Sequence, residues 1–182
     1  AGWLGGAIYG FFYAPLVITG LHHMFLAVDF QLMGSSLKGT YLWPIVAISN
    51  ICQGSAAFGA WLIYKRRKMA KEEGLALTSG VSAFLGVTEP AMFGVNLPLK
   101  VPFFAAICTS GVLGAVIGAN RVLGNVGVGG VPAFISIQSK YWYIYILVIL
   151  LAMILPAVLT VIFSKFTKIK AKEMVENPND IK

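Results

Sequence analysis

Apolar residues in this chain fall into long runs, without the strict alternation that marks a half-buried strand. Trp3 to Val28 and Tyr41 to Tyr64 are each long enough to cross a bilayer as a helix, which takes roughly 20 residues. Leu75 to Leu97 is also apolar, but Gly80, Gly86, Pro90 and Gly94 interrupt it. That pattern predicts a re-entrant hairpin in place of one regular spanning helix. Val101 to Ile117 predicts another helix. Gly124 to Ile137, with Gly127, Gly129, Gly130 and Pro132, predicts a second broken or re-entrant element, and Trp142 to Phe163 the last span.

Composition decides which solvent these runs face. Of 182 residues, 58% are hydrophobic and 12% charged, and the mean hydropathy is +0.80, so the chain lacks the charged surface of a soluble domain. Every backbone polar group must be satisfied internally within a bilayer, and non-alternating runs do this as helices. The expected fold is therefore all-α and integral to the membrane.

The formal charge of +7 does not point to nucleic acid. Its basic residues gather at Lys65-Arg66-Arg67-Lys68 and from Lys165 to Lys172, each just after an apolar run, as in cytoplasmic membrane flanks. Tyr41, Trp43, Tyr141, Trp142 and Tyr143 lie at the opposite ends of the runs and read as an interfacial aromatic belt. With both basic clusters on one side, the segment between them crosses an even number of times. Two crossings, at Val101 to Ile117 and Trp142 to Phe163, leave both broken elements entering and leaving on the same side. Residues 1–164 thus form the membrane unit, and 165–182 a charged cytoplasmic tail or linker carrying the turn sequence Asn177-Pro178-Asn179-Asp180. The opening segment lacks a basic stretch followed by a cleavage site, so no signal peptide is expected, and the chain reads as a piece of a longer protein.

Ionisable residues left inside the apolar parts carry the functional signal, since each costs at least about 2.5 kcal/mol at the bilayer centre unless paired or hydrated. His22, His23, Asp29 and Glu89 stand out. Glu89 lies in Gly86-Val87-Thr88-Glu89-Pro90, where Pro90 places the carboxylate at a helix break. Broken helices at membrane depth line cavities, so Glu89 is expected to accept from a ligand hydroxyl. His22 and His23 would project about 100° apart on a helix, so one is expected to face the site and the other to pack or orient. His22 and Asp29 share a face if the helix runs through Val28; otherwise Asp29 is an interfacial residue. Asn50 and Gln53, beside Ser49 and Ser55, form a polar stripe suited either to a carbohydrate or to helix–helix hydrogen bonds. Asn96 joins the candidates although turn chemistry accounts for it, and snorkelling accounts for Arg121. Cys52 and Cys108 have no paired spacing or basic neighbour and read as buried packing residues. Adjacent histidines lack the spacing of a metal pair, and no metal or cofactor is expected. An ion-coupled secondary sugar transporter would use the same broken helices and acidic residue.

Three segments, Ile18-Thr19-Gly20-Leu21-His22-His23, Asn50-Ile51-Cys52-Gln53-Gly54-Ser55 and Gly86-Val87-Thr88-Glu89-Pro90-Ala91, together resemble the IIC membrane domain of sugar phosphotransferase permeases in the glucose–glucoside superfamily. Leu26-Ala27-Val28-Asp29-Phe30-Gln31-Leu32 and Met92-Phe93-Gly94-Val95-Asn96-Leu97 look most like the trehalose branch, with the sucrose and β-glucoside branches next. The resemblance covers the second, sugar-binding half of such a domain. It implies a permease of the bacterial plasma membrane that binds a disaccharide at His22, His23, Thr88 and Glu89. It implies, as partners, an N-terminal IIC half, a soluble IIB domain bearing phosphocysteine, a IIA domain and a second copy in a homodimer. It also implies that the transport half moves against its scaffold, and that the chain serves a phosphotransferase without itself carrying a phosphorylated residue.

Overall fold

The computed structural model describes residues 2–35 and 38–166. Its elements are helical: α1 (Gly2–Ile18), α2 (Met24–Gly34), α3 (Leu42–Arg66), α4 (Ala70–Phe84), α5 (Glu89–Ala91), α6 (Leu97–Leu99), α7 (Val101–Ala119) and α8 (Trp142–Phe166). Three helical stretches, Leu42–Arg66, Val101–Ala119 and Ser139–Lys165, are long and apolar enough to cross a membrane. The all-α, multi-pass membrane fold follows. The tail expected over 165–182 lies outside the described residues beyond Phe166.

Helix α3 is the hub, packed by α1, α4, α7 and α8, and its central residues Ala47, Ile48, Ile51, Cys52, Ala56, Ala57 and Ala60 are fully buried. Small residues let the neighbours approach. On α1, Gly2, Gly6 and Gly10 recur every fourth position and face Gly118, Gly114 and Ser110 of α7, so that a methyl group on Gly6 would strike the Gly114 carbonyl. The two helices therefore run antiparallel at backbone contact. On the other side, Ser55 bridges α3 to α8. Its Oγ donates to the Met153 carbonyl (2.7 Å) and accepts from the Ala157 N–H (3.1 Å), inserting into the α8 ladder next to Pro156, whose ring disturbs that turn. Of the two readings open for Ser55, helix–helix bonding is the one observed. Much of the remaining α1 and α8 surface is apolar and exposed, including Trp3, Ile8, Phe12, Leu147, Ile154 and Val158, as a lipid-facing surface requires.

Trp3 to Val28 does not form one span. The chain leaves α1 at Ile18, Gly20 takes φ +76°, and a single 3₁₀ turn over Leu21–His23 redirects it into α2. Glycine populates this left-handed region without the Cβ clash that restricts other residues.

Both broken elements are present. The hairpin begins at Ala70, earlier than the apolar run suggests, because Glu72 and Glu73 occupy the first turn of α4 where the helix dipole favours carboxylates. After Gly86 (φ +103°), the chain returns through α5, a π turn over Met92–Asn96, and α6. Ala76, Ala83, Ala91 and Val95 share one buried cluster across the two arms. The second broken element runs through Gly124, which bridges to both Thr40 and Ile137, then into a 3₁₀ helix over Val131–Ser136. Cys52 is buried as expected, whereas Cys108 lies on the exposed face of α7. Its apolar surroundings in sequence reflect that outer surface and not the core.

Candidate functional site

A cavity of about 200 Å³ opens where these interruptions converge. Tyr9, Tyr13 and Val17 of α1 form one wall, His22, His23, Phe25, Leu26 and Asp29 a second, and Trp43, Val46 and Asn50 of α3 a third. Gly86, Thr88 and Glu89 at the hairpin tip, with Gly129 from the other broken element, close it.

Local chemistry explains how each group arrives there. Pro90 occupies the first turn of the returning helix, where its missing N–H is not needed, so Glu89 becomes the first residue of α5. The Glu89 side chain is exposed to the cavity. Thr88, just before it, is buried, and its carbonyl accepts from the Met92 N–H at 2.8 Å. Asn50 is 7% exposed, and Gly129 passes so close that a Cβ there would lie 2.8 Å from Asn50 Nδ2. The two hairpin-like elements therefore meet beside Asn50.

Both histidines line the cavity, contrary to the expectation that only one would. Their rings lie against each other, tilted by 38° with centroids 3.9 Å apart, and the Tyr13 ring meets His22 edge-on at 6.2 Å. The cause is the break at Gly20, which sets them on a tight turn at the mouth instead of on the side of a continuous helix. Asp29 lies on α2 past this turn and still reaches the cavity. It is 1% exposed, and its Oδ1 accepts a hydrogen bond from the Thr40 hydroxyl. The Thr40 Oγ1 also accepts from the Leu42 N–H at 3.0 Å, at the start of α3. Asp29 is thus a buried carboxyl group bonded to the protein.

Gln53 and Asn96, both sequence candidates, are not among the lining residues. Asn96 Nδ2 donates to the Gln53 carbonyl at 2.9 Å and to its Oε1 at 2.7 Å, with both side chains buried. One helical turn beyond Asn50, the polar face of α3 points at the returning hairpin arm, so these residues join helices. Three aromatic residues were missed as site residues. Tyr9 and Tyr13 carry no sequence signal beyond lying on an apolar helix, and Trp43 reads as a belt residue. Tyr9 Oη and Trp43 Nε1 are buried without a hydrogen-bond partner, a condition rare enough in native proteins to call for an explanation.

A protein-family model for the phosphotransferase system EIIC domain matches residues 1–111. The chain belongs to the phosphotransferase system EIIC family. It is 52% identical over 164 residues to the trehalose-specific EIIBC component of Bacillus subtilis (strain 168), covering 90% of this chain and 34% of that protein. It is 43% identical over 165 residues to the sucrose-specific EIIBC component of Vibrio alginolyticus, covering 89% and 34%. To the sucrose-specific EIIBCA component of Pediococcus pentosaceus it is 38% identical over 180 residues, covering 97% and 27%. The chain spans about a third of the length of these relatives. No solved structure matches it. The matched EIIC region includes His22, His23, Asp29, Asn50, Thr88 and Glu89, so all of the cavity lining except Gly129 lies within the matched region.

Proposed function

We propose that this chain is the sugar-binding half of the membrane domain of a phosphotransferase permease in the bacterial plasma membrane, with trehalose as substrate. The observation that carries this reading is the convergence of His22, His23, Asp29, Asn50, Thr88 and Glu89 on one cavity from three separate chain segments. A pocket walled by aromatic rings, with a few placed hydrogen-bonding groups, is the kind of site that orients a carbohydrate. The chain is 52% and 47% identical to two trehalose-specific relatives and 49% and 43% identical to two sucrose-specific ones, and the first of these values supports the choice of sugar.

In this reading the phosphoryl donor is the phosphocysteine of a IIB domain, in turn loaded through IIA; the EIIBC and EIIBCA names of the relatives support both partners. The donor's S–P bond breaks, releasing the cysteine thiolate, as a sugar hydroxyl oxygen bonds to phosphorus and its proton passes to that departing thiolate. Phosphoryl transfer asks mainly for positioning, because a small misplacement of the attacking oxygen is costly. Glu89 accepts from that hydroxyl and fixes it, with the histidine turn and Asn50 holding the rest of the ring. The remaining part of the permease membrane domain supplies the scaffold and dimer contacts against which this half carries the sugar.

Sugar binding by the detergent-purified intact permease containing this segment tests the reading. Trehalose is expected to bind more tightly than sucrose or maltose, and Glu89→Gln to weaken trehalose by at least about tenfold, the loss of one charge-assisted hydrogen bond. Unchanged binding in the variant would reduce Glu89 to a hairpin residue. Tighter sucrose binding would move the substrate assignment, and failure of every disaccharide to bind would sink the permease reading.

A further inference from the structure

A second cavity, of about 380 Å³, lies at the end of the bundle formed by the starts of α1 and α3 and the end of α7. Its wall includes Arg121, Tyr41, Leu32 and the glycine backbone of Gly5, Gly6 and Gly118. Tyr9 belongs to this lining and to that of the first cavity. One side chain therefore stands between the two spaces.

The first cavity, at about 200 Å³, is smaller than the roughly 300–1,000 Å³ of ordinary small-molecule sites. It suits one pyranose ring better than two. The neighbouring space offers what a second ring would need: guanidinium donors on Arg121 for paired hydroxyls, and the rings of Tyr41 and Tyr9 as faces for a sugar's C–H surface. No carboxylate lines it, so it is unsuited to a cation. Tyr9 can move without breaking a bond to the protein, because its Oη has no hydrogen-bond partner. Its ring packs on Phe25 at 5.1 Å and Tyr13 at 5.8 Å between centroids and against apolar core side chains, contacts without direction that a moved ring can remake.

We propose that the Arg121 cavity is a second carbohydrate subsite that takes the distal ring of a disaccharide, joined to the Glu89 cavity by displacement of the Tyr9 ring. This rests on the disaccharide reading above and adds the residue that distinguishes a two-ring from a one-ring ligand. Positive-inside logic, with Lys65 to Lys68 cytoplasmic, puts this subsite on the outer side of the Glu89 cavity. The proximal ring then lies toward the cytoplasm, where the phosphoryl donor acts.

The test compares trehalose with methyl α-glucoside, a one-ring probe, on the intact purified permease. Arg121→Gln is expected to weaken trehalose about tenfold and leave methyl α-glucoside unchanged, whereas Glu89→Gln weakens both. Equal loss of the two ligands in Arg121→Gln, or no loss, overturns the subsite while leaving the Glu89 site standing. An independent readout uses Leu32→Cys, alkylated by an aqueous maleimide and followed by peptide mass spectrometry. Trehalose is expected to protect it and methyl α-glucoside not to. Failure to label without sugar, or equal protection by both sugars, overturns the proposal. Loss of all sugar binding in the wild type would remove the disaccharide reading and the subsite with it.

Discussion

Gly86 and Gly129 meet backbone to backbone: a Cβ on Gly86 would lie 2.9 Å from the Gly129 Cα. Gly130 continues the contact, with a Cβ there 2.7 Å from the Gly86 nitrogen and in collision with the Phe84 carbonyl. The tips of the two broken elements are therefore interlocked, and the interlock holds Thr88 and Glu89 at a fixed distance from the Asn50 wall. Any side chain larger than hydrogen would separate them.

Gly130→Ala should accordingly destabilise the protein. Gly130 has φ +66°, so the new methyl adds backbone strain to overpacking, which alone costs about 1–3 kcal/mol. Gly74→Ala is the matched control. It lies within α4 with nothing inside 4 Å of its Cβ position, and alanine in place of a helical glycine should stabilise by about 0.5–1 kcal/mol. Thermal unfolding of the detergent-solubilised permease should separate the two variants in opposite directions, and coincident curves would remove the interlock.

How much of this arrangement the sequence discloses depends on the kind of signal. Spans α3, α7 and α8 are legible because their apolar runs are uninterrupted, and Glu89 because a carboxylate in such a setting is costly. The break at Gly20 is hidden, since a lone glycine in an apolar run is tolerated in many helices and only the left-handed φ reveals the turn. That hidden turn is why both histidines reach the cavity. The pairing of Gln53 with Asn96 is hidden for a different reason: a buried amide looks the same in sequence whether it faces a ligand or another amide, and only the packing of α3 on the hairpin separates the two. Trp43 illustrates the converse, because an aromatic residue near a span end suits both a lipid interface and a site wall.

The Asn96–Gln53 pair should therefore behave as structure and not as ligand contact. Asn96→Ala removes both donated bonds and leaves the Gln53 Oε1 without its donor in a buried setting, at a cost of about 1–3 kcal/mol. The expected result is a lowered unfolding temperature with the trehalose affinity of the folded fraction within about twofold of wild type, a change under 0.5 kcal/mol. A tenfold loss of affinity at unchanged stability would return Asn96 to the binding site.

Trp43 should show the opposite split. Its Nε1 is buried without a partner, so Trp43→Phe removes a group whose desolvation the protein does not compensate. Against that gain stands the cavity left by the smaller ring, so overall stability should change by less than about 1 kcal/mol. If the indole N–H completes its bonding on the sugar, affinity should fall by about fivefold to tenfold, the range of a neutral hydrogen bond near 1–1.4 kcal/mol. Binding that is indifferent to Trp43→Phe would leave the residue as a wall only.

Thr40 joins three parts of the site at one residue. Its hydroxyl donates to Asp29 on α2 and accepts from the Leu42 N–H at the start of α3, while its backbone N–H donates to the Gly124 carbonyl at 2.8 Å and its carbonyl accepts from the Gly124 N–H at 3.1 Å. Thr40→Val keeps the shape and the backbone bridge but leaves a buried carboxylate without its donor. Hydrogen bonds to charged groups contribute about 1.5–3 kcal/mol, so stability should fall by that order. Thr40→Ser, which retains the hydroxyl, should recover most of the loss. Because Asp29 faces the cavity, releasing it should also weaken sugar binding in Thr40→Val and not in Thr40→Ser. Equal behaviour of the two variants in both measurements would mean that the hydroxyl is not what matters, and the Asp29–Thr40 bond would lose its assigned role.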